Sequence, residues 1–377
     1  MEHFITKVRI DKLRHLENID IVLSDNERRN LLLTGKNGSG KTSLLETLSE
    51  CLRTSTSISK QDNDINLRKK GYSGVKIHFN SENNLKRKFA DGKLITVYFP
   101  ANRKLNILLA NGVENIKLDK NYESFKDPTP NFVKYMVHLK TQQSYARTEN
   151  EPKVEKNIQK WFNRFEKALG ILLEDETLKL NYDYKHYNFL IHQKGRLPFG
   201  FNELSDGYSS VIKIMSGIML RMEQNWLLKG TLSEYNFEGI ALIDELETHL
   251  HIELQRKILP FLTTFFPRVQ FIISTHSPYI LTSVSNTTIF DLEKKVTLND
   301  MSNYSIDNVA EAYFDSENYS VELEKKLVEY KSLIEKSDPT NEERIRRAEL
   351  RTEFKNLNDT LSPRIKNDFE ELESRRQ

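Results

Sequence analysis

A single cysteine, Cys51, leaves no partner for an intramolecular disulfide and no basis for a cysteine-built zinc site. It reads as a small buried apolar residue in a reducing compartment, the cytoplasm. Neither sign of charge dominates: 56 lysines and arginines against 54 aspartates and glutamates give a formal net charge of +2. So balanced a chain is no general partner for a polyanion, and only a local basic patch could hold nucleic acid. No apolar run approaches the ~18 residues that a membrane-spanning helix needs, so no membrane partner is expected. The opening MEHFITKVRI lacks the apolar core of a secretion signal and reads as a first strand. Internal repeats and low-complexity tracts are also missing. What is present, 29% charged and 38% hydrophobic residues over 377 positions, suits a soluble chain with one large core or two modest ones.

Along the chain, ITKVRI and NIDIVL alternate as paired strands, and RNLLLTG is a compact apolar strand running into glycine. KTSLLETLSECLR follows with helical spacing, placing Leu44, Leu45, Leu48 and Leu52 on one side. Residues 53–70 read as a mobile polar loop. GVKIHFN, LKRKFA and KLITVYFP read as a small antiparallel set of strands. Residues 111–150 are weakly patterned, with DPTP marking a break. EKNIQKWFNRFEKALGILL is an amphipathic helix carrying Ile158, Trp161, Phe162, Phe165, Leu169 and Leu172 on one face, and LKLNYDYKHYNFLIHQ alternates as a hairpin. The second half then alternates apolar strands with helices, which argues for a parallel sheet covered by helices. From about Tyr319 the composition turns charged and helical. Leu323, Leu327, Tyr330 and Ile334 form one narrow apolar seam, and Leu350, Phe354, Leu357 and Leu361 another. They predict a helical hairpin that packs on itself or on the body, or else holds a partner.

Three segments carry chemistry. GKNGSGKT, Gly35 to Thr42, fits the phosphate-loop pattern G-x-x-x-x-G-K-[ST], with a strand before it and a helix after it. Gly35, Gly38 and Gly40 let the backbone curl so that the N–H groups of Lys36, Asn37, Ser39 and their neighbours through Ser43 face a phosphate at a helix N-terminus. Lys41 reaches the β and γ oxygens, and the Thr42 hydroxyl ligates Mg²⁺. IALIDE brings a buried strand to two carboxylates, Asp244 for Mg²⁺ and Glu245 to polarise the attacking water. FIISTHSP ends another buried strand at His276, a histidine placed to contact the γ-phosphate; alone, such a residue is more often structural. A fourth stretch, FNELSDGYSS, opens a helix with Ser205 or Asp206 as N-cap. It either merely starts that helix or holds a phosphate.

With these residues in place, the sequence resembles the ABC-type ATPases over roughly residues 1–290, in particular the non-transport branch of RecF, SMC-like heads and OLD-family ATPases. LSDGYSS resembles that family's signature, with Asp206 in place of a glycine and Tyr208 in place of glutamine. ELETHLHIELQ resembles the DEPETHLH form of its second carboxylate region, with Leu246 where proline is common. The resemblance implies an α/β fold, a P-loop NTPase head of ABC type. Such a head has a mainly parallel core sheet, an antiparallel β lobe and a helical insert over about residues 53–200. It would span residues 1–318, with the charged helical hairpin as a tail over 319–377. It implies ATP and Mg²⁺ as ligands, and a homodimer in which Ser205 and the Gly207 backbone meet a γ-phosphate held by the other chain's Lys41. Glu247, Thr248 and His249 would lie at the dimer seam. Asn102 stands where the family's Q-loop residue is expected, Arg103 is a phosphate or interdomain contact, and Gln142 and Gln143 are weaker candidates. Arg14 sits where relatives place a residue near the nucleotide. The rival reading of His249, His251 and Glu253 is a metal cluster.

The stretch between phosphate loop and signature is too short for an SMC-like coiled coil. Too little follows the third core strand for an OLD-type nuclease, and Asp62–Asp64 in a polar loop make a poor metal site. The compact ATPases with this pattern resemble those of bacterial defence systems, including Septu, PARIS and retron-linked ATPases. That implies control of a separate effector protein such as a nuclease or toxin. The competing expectation is a RecF-like repair ATPase, with Leu67–Lys70 and Leu85–Phe89 lining a DNA groove.

Overall fold

A computed structural model of the chain describes residues 2–55, 74–81, 83–114, 116, 126–229, 237–298, 301–302, 321–336, 338–356 and 363–374. The chain divides into two compact units, residues 1–306 and 307–377.

In chain order the first unit has strands β1 (Ile5–Leu13), β2 (Leu16–Val22) and β3 (Asn30–Thr34), then helix α1 (Lys41–Ser55) and strand β4 (Val75–Phe79). Helix α2 (Leu85–Ala90), strand β5 (Leu94–Phe99) and helices α3 (Phe132–Thr148) and α4 (Pro152–Leu172) come next. Strands β6 (Lys179–Asp183) and β7 (Asn188–His192), helix α5 (Asp206–Lys229) and strand β8 (Glu238–Ile243) follow. Helix α6 (Ile252–Phe265), strand β9 (Val269–Ser274), helix α7 (Pro278–Leu281) and strands β10 (Thr287–Asp291) and β11 (Val296–Leu298) close it.

The core sheet has the order β11-β10-β3-β9-β8-β5. All its pairings are parallel except the β10–β11 hairpin at one edge. β3, β8 and β9 are buried along their whole length, as strands covered on both faces must be. A second sheet, β2-β1-β4, is antiparallel. Helix α1 is clamped between the two sheets, with Leu44, Leu45, Leu48 and Leu52 all inaccessible within one apolar cluster that includes Ile5, Val8, Ile240 and Ile272. Gln270 joins the sheets. Its side chain accepts from Ile5 N–H at 2.7 Å and donates to the carbonyls of Ile5 at 2.9 Å and Arg29 at 2.7 Å. The insert has its own aromatic core, in which Phe165 meets Phe132, Trp161 and Phe201 at ring separations of 5.3 to 6.1 Å.

Several expectations change. LKRKFA is a helix, not a strand: Leu85 and Phe89, four apart, are buried while Lys86 and Arg87 point out. Lys88 is engaged by the buried carboxylate of Glu238 at 2.7 Å, while Arg87, 3.7 Å from Asp91, stays largely exposed. KLITVYFP belongs to the parallel core sheet beside β8, not to an antiparallel set. The weakly patterned region holds α3. α1 runs to Ser55, past residue 53 where a loop was expected; the rest of that stretch, with Asp62–Asp64 and Leu67–Lys70, lies outside the described residues.

The second unit, described by itself, has α8 (Val321–Glu335), α9 (Asn341–Asn356) and α10 (Pro363–Ser374). The two expected helices are present and a third joins them. Tyr330, Leu350, Phe354, Phe369 and Leu372 form a shared core, so the seams pack on each other and on α10. Leu357 and Leu361 lie outside the described residues. Among the described residues no helix is long and apolar enough to cross a membrane.

Candidate nucleotide site

β3 delivers the chain into the loop Gly35–Gly40 at the carboxyl edge of the parallel sheet, and α1 leaves from Lys41. Gly35, Gly38 and Gly40 take φ values of 126°, 85° and 101°, which a side chain resists. At Gly40 an added Cβ would lie 2.9 Å from Leu16, and at Gly35 it would lie 3.0 Å from Ser39 Oγ, whereas at Gly38 it would meet open space. The three positive φ values curl the loop, the backbone shape of an anion cradle. Ser39 Oγ is buried there without a hydrogen-bond partner. Lys41 Nζ turns back on the loop and donates to the carbonyls of Gly35 at 2.7 Å and Lys36 at 3.0 Å. Burial holds its pKa below the usual lysine value, while Glu245, Glu247, Asp244 and Asp291 pull the other way. Lys36 is anchored at the rim by Glu293, which accepts from its backbone N–H at 3.2 Å. Asn37 is exposed and Ser43 is buried in the first turn of α1.

β8 is two strands from β3 and ends at the same edge. Asp244 accepts from Thr42 Oγ1 at 2.8 Å through one carboxylate oxygen and from Ser274 Oγ at 2.5 Å through the other. Ser274 Oγ also accepts from the Glu245 N–H at 2.7 Å. Ser274 therefore holds both acidic positions, a role that the strand-end pattern FIIST did not reveal. Glu245 has φ 45°, and Thr248 Oγ1 donates to its Oε2 at 3.2 Å. His276 N–H donates to Glu247 Oε1, while Glu247 Oε2 and His276 Nε2 are both buried without a partner. Burial, then the Lys41 charge, lowers the His276 pKa, which makes its imidazole neutral near pH 7. Thr42, Asp244, Glu245, Glu247 and His276 thus converge beside the loop. Three buried polar atoms there lack partners, the pattern expected where phosphate oxygens, Mg²⁺ and water belong. The residues fit Mg²⁺-ATP.

The signature stretch opens α5. Ser205 and Asp206 are exposed at the start of α5, and Gly207 is buried. A Cβ at Gly207 would sit 2.7 Å from the His249 carbonyl oxygen, so this glycine lets α5 pack on the turn after β8. Gly207→Ala is expected to cost about 1–3 kcal/mol, because the obstructing atom is backbone. A thermal melt of the full chain checks it, and an unchanged midpoint would refute the close approach. Tyr208 meets the His251 ring edge-on at 6.1 Å.

Other candidates separate. His251 Nδ1 caps α6 by accepting from Leu254 N–H at 3.4 Å, and His249 is exposed at φ 66°. Among the described residues no group of three or more His, Cys, Asp or Glu is placed to hold a metal, so the His249–His251–Glu253 cluster is not assembled. Gln143 sits in α3 and donates to Gln159 at 2.8 Å, and Gln142 is exposed on the same helix. Arg14 occupies the β1–β2 turn at φ 53°, where the next residue, His15, lies 3.2 Å from the Ser39 carbonyl. Arg103 is not a phosphate contact. It is 1% exposed, with its donors on backbone carbonyls of the turn after β8 and on Ser210.

Residues 100–282 match the family described as "AAA domain, putative AbiEii toxin, Type IV TA system". The chain is 26% identical over 301 residues to the Septu protein PtuA of Bacillus mycoides (strain KBAB4), covering 74% of this chain and 39% of that protein. It is 39% identical over 102 residues to the Retron Vc95 probable ATPase of Vibrio cholerae serotype O1 biovar El Tor, covering 27% of this chain and 19% of that one. The chain spans less than half the length of the curated relatives it matches. Among solved structures, the Smc head domain from Pyrococcus furiosus aligns with TM-score 0.42 and 10% identity, over 80% of this chain and 98% of that chain.

Proposed function

We propose that this chain, a P-loop ATPase type with Septu and retron relatives, is a switch. Two copies pair head to head around two Mg²⁺-ATP, and the pair controls a separate effector protein in bacterial anti-phage defence. The observation that carries the reading is the convergence of Thr42, Asp244, Glu245 and His276 on the phosphate loop, with Ser39 Oγ and His276 Nε2 buried and unpartnered. Lys41 exchanges its two loop carbonyls for the β and γ oxygens of ATP. Thr42 and Asp244 are the side chains that would hold Mg²⁺, which supplies charge neutralisation at the phosphates when bound. Glu245 orients the attacking water for in-line displacement at the γ-phosphate, and neutral His276 hydrogen-bonds to the terminal phosphate. Ser205 and the Gly207 N–H, at the positive end of α5, complete the site from the second chain. ATP favours the closed pair because each γ-phosphate bridges two chains, and hydrolysis removes the bridge.

Mixing two defective chains tests this. Ser205→Arg keeps the phosphate loop but obstructs its use across the pair, and Lys41→Ala keeps the signature but loses the phosphate grip. Neither alone should hydrolyse ATP. Their mixture should recover a substantial fraction of wild-type turnover, because half of the sites in mixed pairs combine an intact loop with an intact signature. If Ser205→Arg alone turns over normally, or the mixture stays silent while both chains remain folded, the site is not shared.

A further inference from the structure

We propose that Arg103 is a positioning residue that couples the signature end of α5 to the catalytic turn after β8, so that a signature engaged on one nucleotide aligns the Glu245 of its own chain. This rests on the two-chain reading above.

The guanidinium is buried at the meeting point of three segments. Its Nε donates to Ser210 Oγ on α5 at 2.9 Å. Nη1 donates to the Pro100 carbonyl at 3.2 Å and to the Asp244 carbonyl, and Nη2 to the carbonyls of Glu245 at 3.0 Å and Leu246 at 3.2 Å. These bonds account for all five N–H donors of an arginine. Three successive carbonyls can face one cation because Glu245 is held at φ 45°, which turns the chain back on itself. No donor is left for a phosphate. Burial pushes the Arg103 pKa down to about 10, against the pull of Glu247, Asp244 and Glu245, so the group stays charged at neutral pH.

The other end of the link is the first part of the signature helix. Ser209 N–H donates to the Ser205 carbonyl at 2.8 Å, and Ser209 Oγ accepts from Leu105 N–H at 3.3 Å. Residues 103 and 105 therefore both hang on the helix that begins beside Ser205. A helical turn is stiff, so displacement of Ser205 reaches Ser210, and through Arg103 reaches the carbonyls that bracket Glu245. Its other neighbour across the same gap, Gly207 against the His249 carbonyl, is a contact of shape and orients no donor. A lysine could supply charge at position 103 but not a planar fork spanning three carbonyls and a hydroxyl.

Two variants of the full chain test the link. Ser210→Ala removes the acceptor on α5 and leaves the clamp on the turn. Arg103→Lys keeps the cation and loses the fork. For both, ATP affinity by a fluorescent analogue should stay within about twofold of wild type. The kcat should fall roughly 10- to 100-fold with KM little changed, the loss expected when a catalytic group is misaligned by a fraction of an ångström. On this coupling the ATP dependence of turnover should be sigmoidal in the wild type and hyperbolic in both variants. Ser210→Thr, which restores a hydroxyl, should recover both. Wild-type turnover in Ser210→Ala overturns the proposal, as does a loss of turnover that leaves the ATP dependence unchanged or merely tracks a loss of folded protein. Should Arg103→Lys fail to fold, Ser210→Ala still decides. Failure of the two-chain reading shows separately, as a silent Lys41→Ala and Ser205→Arg mixture. Failure of the coupling alone leaves that mixture active.

Discussion

Lys41→Ala should weaken ATP binding by about 100-fold or more, equivalent to roughly 3 kcal/mol, in equilibrium titrations of the full chain with Mg²⁺-ATP. Lys41 is 6% exposed and its ammonium sits on two loop carbonyls, so it is already placed and partly dehydrated before any phosphate arrives. Its binding geometry needs little further ordering, which is why the contact with a phosphate is strong. The charges around it magnify the effect. Glu245, Glu247, Asp244 and Asp291 all act on Lys41, and each raises its pKa against the lowering by burial. Without the ammonium, a triphosphate would meet the field of these four carboxylates without the Lys41 charge to offset it. The loop should survive, because the positive φ values of Gly35, Gly38 and Gly40 do not depend on the lysine. Circular dichroism should therefore match wild type while affinity falls. Wild-type affinity in a folded Lys41→Ala chain would remove the phosphate loop from the mechanism.

The sequence made some of this legible because the chemistry there is local. Gly35, Gly38 and Gly40 are needed by a backbone that turns within a few residues, so type and spacing reveal the loop directly. The same holds for Asp244, which ends a fully buried strand. Ser274 was hidden because its role depends on register. Only when β8 and β9 pair with Ile243 opposite Ile273 does the next residue on each strand bring Ser274 Oγ to Asp244 and to Glu245 N–H. A serine ending a strand is otherwise ordinary. Arg103 was expected as a phosphate or interdomain contact, yet all its partners but the Pro100 carbonyl lie 107 to 143 residues away, so sequence could not tell a carbonyl clamp from a phosphate contact. α3 escaped because Phe132, Val133, Tyr135, Met136, Val137 and Leu139 are all buried. A helix enclosed on several sides has no clean stripe of one period. LKRKFA failed for the opposite reason: six residues are too few to separate the two periods, and the packing of Leu85 and Phe89 decided it.

Glu245→Gln should bind Mg²⁺-ATP as wild type does, lose turnover by roughly 10²- to 10⁴-fold, and accumulate as an ATP-dependent pair in light scattering. The amide fills the same space, so the geometry that places Glu245 should persist. Its N–H remains bonded to Ser274 Oγ and its carbonyl to Arg103, since both contacts are made by the backbone. Thr248 Oγ1 can still donate to an amide oxygen where it now donates to Oε2. What the variant lacks is a carboxylate able to draw a proton from the attacking water. On the two-chain reading the uncleaved γ-phosphate should keep bridging the pair, so the species that wild type would pass through should become the stable one. Its mass should double with ATP and return to that of the single chain when ATP is removed or when Ser205→Arg is added to the same chain. A Glu245→Gln protein that retains ATP yet stays single would mean that the phosphate is gripped by one chain alone. One that hydrolyses at the wild-type rate would move the general base elsewhere in the cluster, to Glu247 or His276.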